Sequence, residues 1–172
     1  MKPEPVIHSS RIALRPVDDG DVDAIAGACA DPEIARYIPI IPQPYTVEDA
    51  RTFVASARAG WAGGTSAELA IEERATGELL GMVALRLRDG ESVGYWVKPE
   101  ARGRGVATEA LRLALRWASE SHGVTRLWLT AHPGNRASQR VAEKAGFRRT
   151  GIVAHMPFAD GEATAVRFDV GG

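Results

Sequence analysis

The sequence predicts an α/β (α+β) domain in which helices cover a mixed sheet, with elements in the order β-α-α-β-β-β-α-β-α-β-β. Three observations carry that expectation. Apolar residues fill 45% of the 172 positions and charged residues 25%, a balance that supports a sizeable core. Segments with apolar residues at period two alternate with segments at helical spacing, each bounded by Gly, Pro or Asn/Asp punctuation. No repeat or low-complexity linker interrupts the chain, so residues 1–172 read as one domain.

Residues 10–17 alternate Ile12 and Leu14 with Arg11, Ala13 and Arg15, the pattern of a strand with one buried face. Residues 18–30 read as a helix whose acidic start suits the helix dipole. Asp31-Pro32 restarts a short helix, with proline at the first helical position. Pro39, Pro42 and Pro44 make residues 38–45 an irregular loop. Thr46 then caps a third helix, which Gly63-Gly64 close. A series of strands follows. Residues 68–73 and 78–88 flank a turn containing Thr76-Gly77, and Asp89-Gly90 is a hairpin signal leading into residues 92–97. Between residues 106 and 121, Val106, Ala110, Leu113, Ala114, Trp117 and Ala118 recur at helical spacing, and Gly123 closes that helix. Residues 124–131 read as a strand, 135–145 as a helix closed by Gly146, and 147–155 as a strand. Asp160-Gly161 turns into the last strand, 163–170.

Composition narrows the function classes. No run approaches the ~18 apolar residues of a membrane span, and the N-terminus lacks the apolar core of a signal peptide. No membrane partner is expected, and the expected location is the cytoplasm. Cys29 is the single cysteine, which excludes an internal disulfide and a Cys-rich zinc site. His8, His122, His132 and His155 lack metal-ligand spacing, so no metal is expected. The net charge of −1 hides an asymmetry. Residues 1–97 carry 9 Lys+Arg against 15 Asp+Glu, whereas residues 98–149 carry 11 against 4. A block this basic reads either as a solvated helix surface or as the mark of an anionic partner.

The informative stretch is residues 95–108, a strand end, a Gly/Arg loop and a helix start. Glycines let the backbone fold tightly, and the first N–H groups of a helix lack internal partners at its positive dipole end. Such a turn suits a phosphate or pyrophosphate. A Walker-type loop is excluded, because the chain contains no Gly-Lys pair. The dinucleotide fingerprint G-x-G-x-x-G is met at Gly103 and Gly105 but fails at Thr108, and the next strand ends without the acid it requires. A purely structural glycine turn is the remaining alternative.

Arg102-Gly103-Arg104-Gly105-Val106-Ala107 resembles the R/Q-x-x-G-x-G/A motif of the GNAT superfamily of N-acetyltransferases. Gly94-Tyr95-Trp96-Val97 before it and Ala107-Thr108-Glu109-Ala110 after it resemble the RimJ/RimL-like (ribosomal-protein N-acetyltransferase-like) branch. So do Asn135-Arg136-Ala137-Ser138, Glu143-Lys144-Ala145-Gly146-Phe147, the hairpin at residues 76–81 and the opening strand at residues 11–15. The resemblance spans nearly the whole chain. It implies a mostly antiparallel sheet of about seven strands, with two central strands, 92–97 and 124–131, splayed apart.

The resemblance also implies acetyl-CoA as co-substrate and direct transfer to a primary amine, a peptide or protein N-terminus or a small molecule. The N–H groups of Arg102, Gly103, Arg104, Gly105, Val106, Ala107 and Thr108 would bind the pyrophosphate, and pantetheine amides would pair with the freed edge of residues 92–97. Gly94 is a candidate bulge that opens that strand. The Val97 N–H is the candidate oxyanion donor. Many superfamily members place an acidic tyrosine where this chain has Ala142, so Ser138 is the candidate acid, although a serine there also reads as a helix cap. Asn135 would bond the pantetheine or acceptor, or serve as the N-cap. For the base, Glu91 stands one residue from the family position, which is Ser92, and Glu68 is the alternative, with a water relay to bulk as the third route. Strand alternation aims Glu91 at the opposite face unless a bulge intervenes. The resemblance favours a homodimer. Because much of the basic charge falls inside these motifs, no separate nucleic-acid track is expected. The missing tyrosine and displaced glutamate leave a non-catalytic acyl-CoA-binding or sensor module as the alternative function.

Overall fold

Short-range chemistry sets where each element begins and ends. The computed structural model describes residues 2–88 and 90–171. Two short opening strands, β1 (Ile7–His8) and β2 (Ile12–Pro16), precede α1 (Val22–Cys29), α2 (Pro32–Tyr37) and α3 (Val47–Gly63). Asp31 caps α2 by accepting from the Glu33 N–H, with Pro32 at the first position. Thr46 and Asp49 form a reciprocal capping box at the start of α3, and Gly64 ends it in the left-handed region at φ 62°. Next come β3 (Ser66–Glu73), β4 (Leu79–Arg86), β5 (Ser92–Val97) and α4 (Val106–His122). The chain ends with β6 (Arg126–Ala131), α5 (Arg136–Lys144), β7 (Arg148–Ala154) and β8 (Thr164–Gly171).

The eight strands form one sheet in the order β1-β2-β3-β4-β5-β6-β8-β7. Neighbours are antiparallel except β5 and β6, which run parallel and share a single registered pair, Ser92 with Trp128. Beyond that pair the two strands part, as the splay expectation requires. α4 and α5 cover what we call the back face, packing Val106, Leu111, Leu113, Ala114 and Trp117 over Leu69, Val83, Val93, Leu129 and Phe168. α1 and α3 cover the front face over β3 and β4, where Ile25, Val54 and Ala57 meet Ala70, Leu79 and Met82. Toward β5 that cluster reaches Trp96, and Tyr37 of α2 packs against His132 just past β6.

Three details differ from the sequence expectation. Eight strands form rather than about seven, because Ile7 and His8 pair with Leu14 and Ala13. The helix read over residues 18–30 divides into a 3-10 turn at Asp19–Asp21 and α1. Asp18 accepts from Gly20 N while the Asp21 carboxylate turns back to Asp18 N, tightening the first turn. The bulge expected at Gly94 is absent: the β4–β5 ladder runs unshifted from Gly81/Val97 to Arg86/Ser92. The splay therefore comes from β6 leaving β5 and not from a kink within β5. The register shifts instead lie between Ile71 and Glu72 and between Arg149 and Gly151. Asp89 of the expected Asp89-Gly90 turn lies outside the described residues, and Gly90 itself sits at φ 112°.

Candidate active site

The parted strands expose a specific set of backbone groups. Lys98 N donates to Leu80 O at 2.9 Å, so Leu80 and Lys98 are a hydrogen-bonded pair in the β4–β5 register. Antiparallel alternation then turns the N–H and C=O groups of Tyr95 and Val97 away from β4 and toward the gap. The Val97 carbonyl accepts from Arg102 Nε at 3.2 Å. Its N–H stays on the open edge. Gly81 lets the two backbones approach this closely, since a Cβ there would lie 2.2 Å from Trp96 O and 2.9 Å from Val97 Cα.

Beyond β5 the chain makes a 3-10 turn at Pro99–Ala101 and enters the glycine loop. Gly103 at φ 71° and Gly105 at φ 74° occupy the left-handed region, where a side chain is strained. Gly105 is the N-cap of α4 and offers no side-chain acceptor. The first N–H to find an intrahelical acceptor is that of Glu109, on Gly105 O. Those of Val106, Ala107 and Thr108 lack an intrahelical partner, at the positive end of a seventeen-residue helix. The arginine side chains of the loop point elsewhere. Arg102 reaches Asp31 at 3.1 Å and Arg104 reaches Glu73 at 2.8 Å. From β2 side, Arg11 donates to Arg104 O at 2.9 Å and pairs with Glu109 at 2.6 Å. The ion pairs fasten the loop, and the backbone N–H groups are what remains to meet an anion.

On the other wall of the gap, Asn135 caps α5 by accepting from Ser138 N at 3.1 Å. The cap is thus the asparagine, and the Ser138 hydroxyl is released from that task. Ser138 Oγ lies 2.8 Å from the hydroxyl oxygen of Tyr95, which also lies 3.3 Å from Ser138 O. Burial pushes the Tyr95 hydroxyl up to about 12, with the Ser138 hydrogen bond acting in the opposite direction. The hydroxyl of Tyr95 was not legible as a site group, because its partner is 43 residues away on another element. Arg11 escaped notice for the same reason.

The two carboxylates stand apart from this cluster. Glu68 is buried on the front face, paired with Arg86 at 2.6 Å and accepting from Ser66 Oγ at 3.0 Å. Its row runs through Ala84 to Gly94, so it stands two strands, roughly 10 Å, from β5. Glu91 precedes an unbulged strand, and alternation places it on the back-facing side with Val93, Tyr95 and Val97. His132 follows β6 with both ring nitrogens engaged: Nδ1 accepts from Gly134 N at 2.8 Å and Nε2 faces Asp160 at 2.9 Å. Tyr37 and Phe158 pack edge-on against its ring. That histidine fastens α2 and the 155–162 loop and has no nitrogen left for a substrate. Burial pushes the Cys29 thiol up to about 12, which removes it as a nucleophile near neutral pH. Among the described residues no cluster of three or more His, Cys, Asp or Glu could hold a metal, and no helix is long and apolar enough to cross a membrane.

Comparison with known proteins addresses the same segments. A sequence profile of the acetyltransferase (GNAT) domain matches residues 11–148. An uncharacterized N-acetyltransferase of Bacillus subtilis, YoaA, is 26% identical over 162 residues, covering 91% of this chain and 90% of that protein. The solved structure of Mycobacterium smegmatis RimJ in complex with CoA-disulfide has a TM-score of 0.84 at 23% identity, covering 94% of this chain and 82% of the other. A RimL ribosomal L7/L12 α-N-protein acetyltransferase in complex with coenzyme A has a TM-score of 0.89 at 16% identity, covering 98% of each chain. At those identities the two structures speak to the fold.

Proposed function

The chain belongs to the acetyltransferase (GNAT) family, and from that premise we propose that it moves an acetyl group from acetyl-CoA directly to a primary amine. The observation that carries the reading is the opened edge of β5 running straight into a helix start whose cap has no side chain. A pantetheine arm can pair with that edge as a strand would, and a pyrophosphate can rest on the N–H groups of residues 103–108; the Arg102 N–H, expected among them, instead closes the 3-10 turn by donating to Pro99 O at 3.2 Å. The residues present therefore suit the co-substrate along its length. Fastening the arginines to Asp31 and Glu73 keeps the loop in the shape that presents those N–H groups.

The Val97 N–H, on the same edge, donates to the thioester oxygen as negative charge develops there. Ser138 supplies the proton for the departing sulfur, and Asn135 holds the first turn of α5 in place. The amine enters from the front side of the gap between β5 and β6. The proton that the nitrogen gives up leaves to bulk water; Glu68 is buried on β3 with its two carboxylate oxygens held by Arg86 and Ser66, and Glu91 lies on the opposite face, so neither is given a role. With the single cysteine buried, transfer is direct. The RimJ/RimL-like motifs and the L7/L12 α-amino activity named for one structural neighbour favour a peptide or protein N-terminus as acceptor.

Calorimetry with acetyl-CoA, followed by thiol release with a panel of peptides and small amines read by mass shift, tests the proposal. We expect binding in the micromolar range and a mass gain on at least one amine. No binding refutes the reading. Binding without release from any amine makes the chain an acyl-CoA-binding module instead.

A further inference from the structure

Tyr95 belongs to β5 and Ser138 to α5, yet their hydroxyl oxygens meet at 2.8 Å across the line where β5 and β6 part. The bond spans the back of the gap, on the side away from the front face. Resting on the acetyl-transfer reading above, we propose that Tyr95 is a positioning residue: its O–H donates to Ser138 Oγ and thereby turns the Ser138 proton toward the departing sulfur.

The direction of that bond follows from chemistry and geometry. A phenol is the more acidic of the two hydroxyls, so it donates and the serine accepts. Ser138 O, 3.3 Å from the Tyr95 oxygen, can only accept, so the phenolic proton points into the first turn of α5 and is shared between Oγ at 2.8 Å and this carbonyl. Burial holds the Tyr95 hydroxyl at about 12, so it keeps its proton throughout the neutral range. Asn135 accepts from Ser138 N at 3.1 Å, which orders the first turn of α5 that carries the serine. Accepting from Tyr95 leaves the Ser138 proton free to give. Val97 follows Tyr95 by two residues on the same strand face, about 7 Å along it. One strand thus sets both the donor for the thioester oxygen and, through Ser138, the donor for the sulfur. As the amine nitrogen bonds to the acetyl carbon, the C–S bond breaks and its electron pair goes to sulfur. The Ser138 proton moves to that sulfur, the proton lost by nitrogen goes to bulk water, and the serine is reprotonated from bulk water.

The test reads the pH titration of the thiol of bound CoA by thiolate absorbance, which needs no acceptor. A donor aimed at sulfur stabilises the thiolate, so the bound thiol should titrate below free CoA. Tyr95→Phe and Ser138→Ala should each move it back up, and the double variant no further than Ser138→Ala alone. In turnover with an accepted amine, Tyr95→Phe should lower kcat about tenfold with KM for acetyl-CoA within about threefold, and add nothing to Ser138→Ala. A Tyr95→Phe protein with an unshifted thiol titration overturns the proposal, as does an additive loss in the double variant. Tyr95→Phe that no longer binds CoA makes the tyrosine structural and overturns it too. Wild-type protein that fails to bind CoA removes the acetyl-transfer reading itself, a result distinct from each of these.

Discussion

Replacing Gly105 with Asp tests where the pyrophosphate sits. Gly105 is the N-cap of α4 at φ 74°, and a Cβ there meets only Arg11 Nη2 at 3.8 Å, so the site has space for a side chain. The backbone conformation is the main folding cost, about 1–2 kcal/mol for an ordinary residue and less for Asn or Asp, which tolerate the left-handed region. Gly105→Asn is therefore the matched control, nearly identical in shape and uncharged. A carboxylate roughly 5 Å from a phosphate charge, at an effective dielectric of about 20, is opposed by about 3 kcal/mol. That converts to a loss of roughly 100-fold in acetyl-CoA affinity relative to Gly105→Asn. Isothermal calorimetry on the two variants measures the difference, and repeating it in high salt should shrink the gap, because exposed charges are screened. Equal affinities within about threefold would refute the reasoning and place the pyrophosphate away from the α4 start.

Two further substitutions probe the frame around the site. Arg15 is buried between Asp21 at 2.7 Å and Glu72 at 2.8 Å, so Arg15→Ala should cost about 3–5 kcal/mol at neutral pH, measured by urea unfolding. Burial alone would raise the Asp21 carboxyl, but hydrogen bonds from Arg15 and from the Asp18 backbone bring it below its ordinary value, so its contribution is complete above about pH 4 and disappears as pH falls through the lower folded value. The Arg15→Ala deficit should shrink at pH 3, and a deficit independent of pH would disprove this account. Gly81→Ala would set a Cβ 2.2 Å from Trp96 O, so β5 must move; a loss of about 1–3 kcal/mol in stability together with weaker acetyl-CoA binding is expected, from thermal melts and calorimetry.

What the sequence made legible was local. Caps at Thr46 and Asn135, the proline start at Pro32 and the closing glycines Gly64 and Gly123 act within a few residues, so composition and spacing reveal them. The glycine loop was legible for the same reason. What escaped depends on partners far along the chain. The Tyr95–Ser138 bond, the Arg11 contact to Arg104 and the Glu68–Arg86 pair are made only once the sheet has formed. The face that Glu91 occupies likewise depends on whether β5 is bulged, a property of its ladder with β4 that no single-strand pattern encodes.

The charge asymmetry is where sequence and structure inform each other most. A basic block at residues 98–149 invites the idea that its side chains grip an anion. Yet Lys98 pairs with Glu78, Arg102 with Asp31 and Arg104 with Glu73, so three of its cations are matched to acids of the N-terminal half. Exposed pairs of this kind contribute little stability individually, roughly 0–1 kcal/mol each. Their value is geometric: they converge on the turn between β5 and α4 from α2, β3 and the β3–β4 connection. With the arginines so held, what the loop offers the pyrophosphate of the proposed co-substrate is backbone N–H groups fixed by two left-handed glycines. Neutralising Asp31 or Glu73 should therefore loosen the loop without removing a contact to the anion, whereas altering Gly105 alters the contact itself.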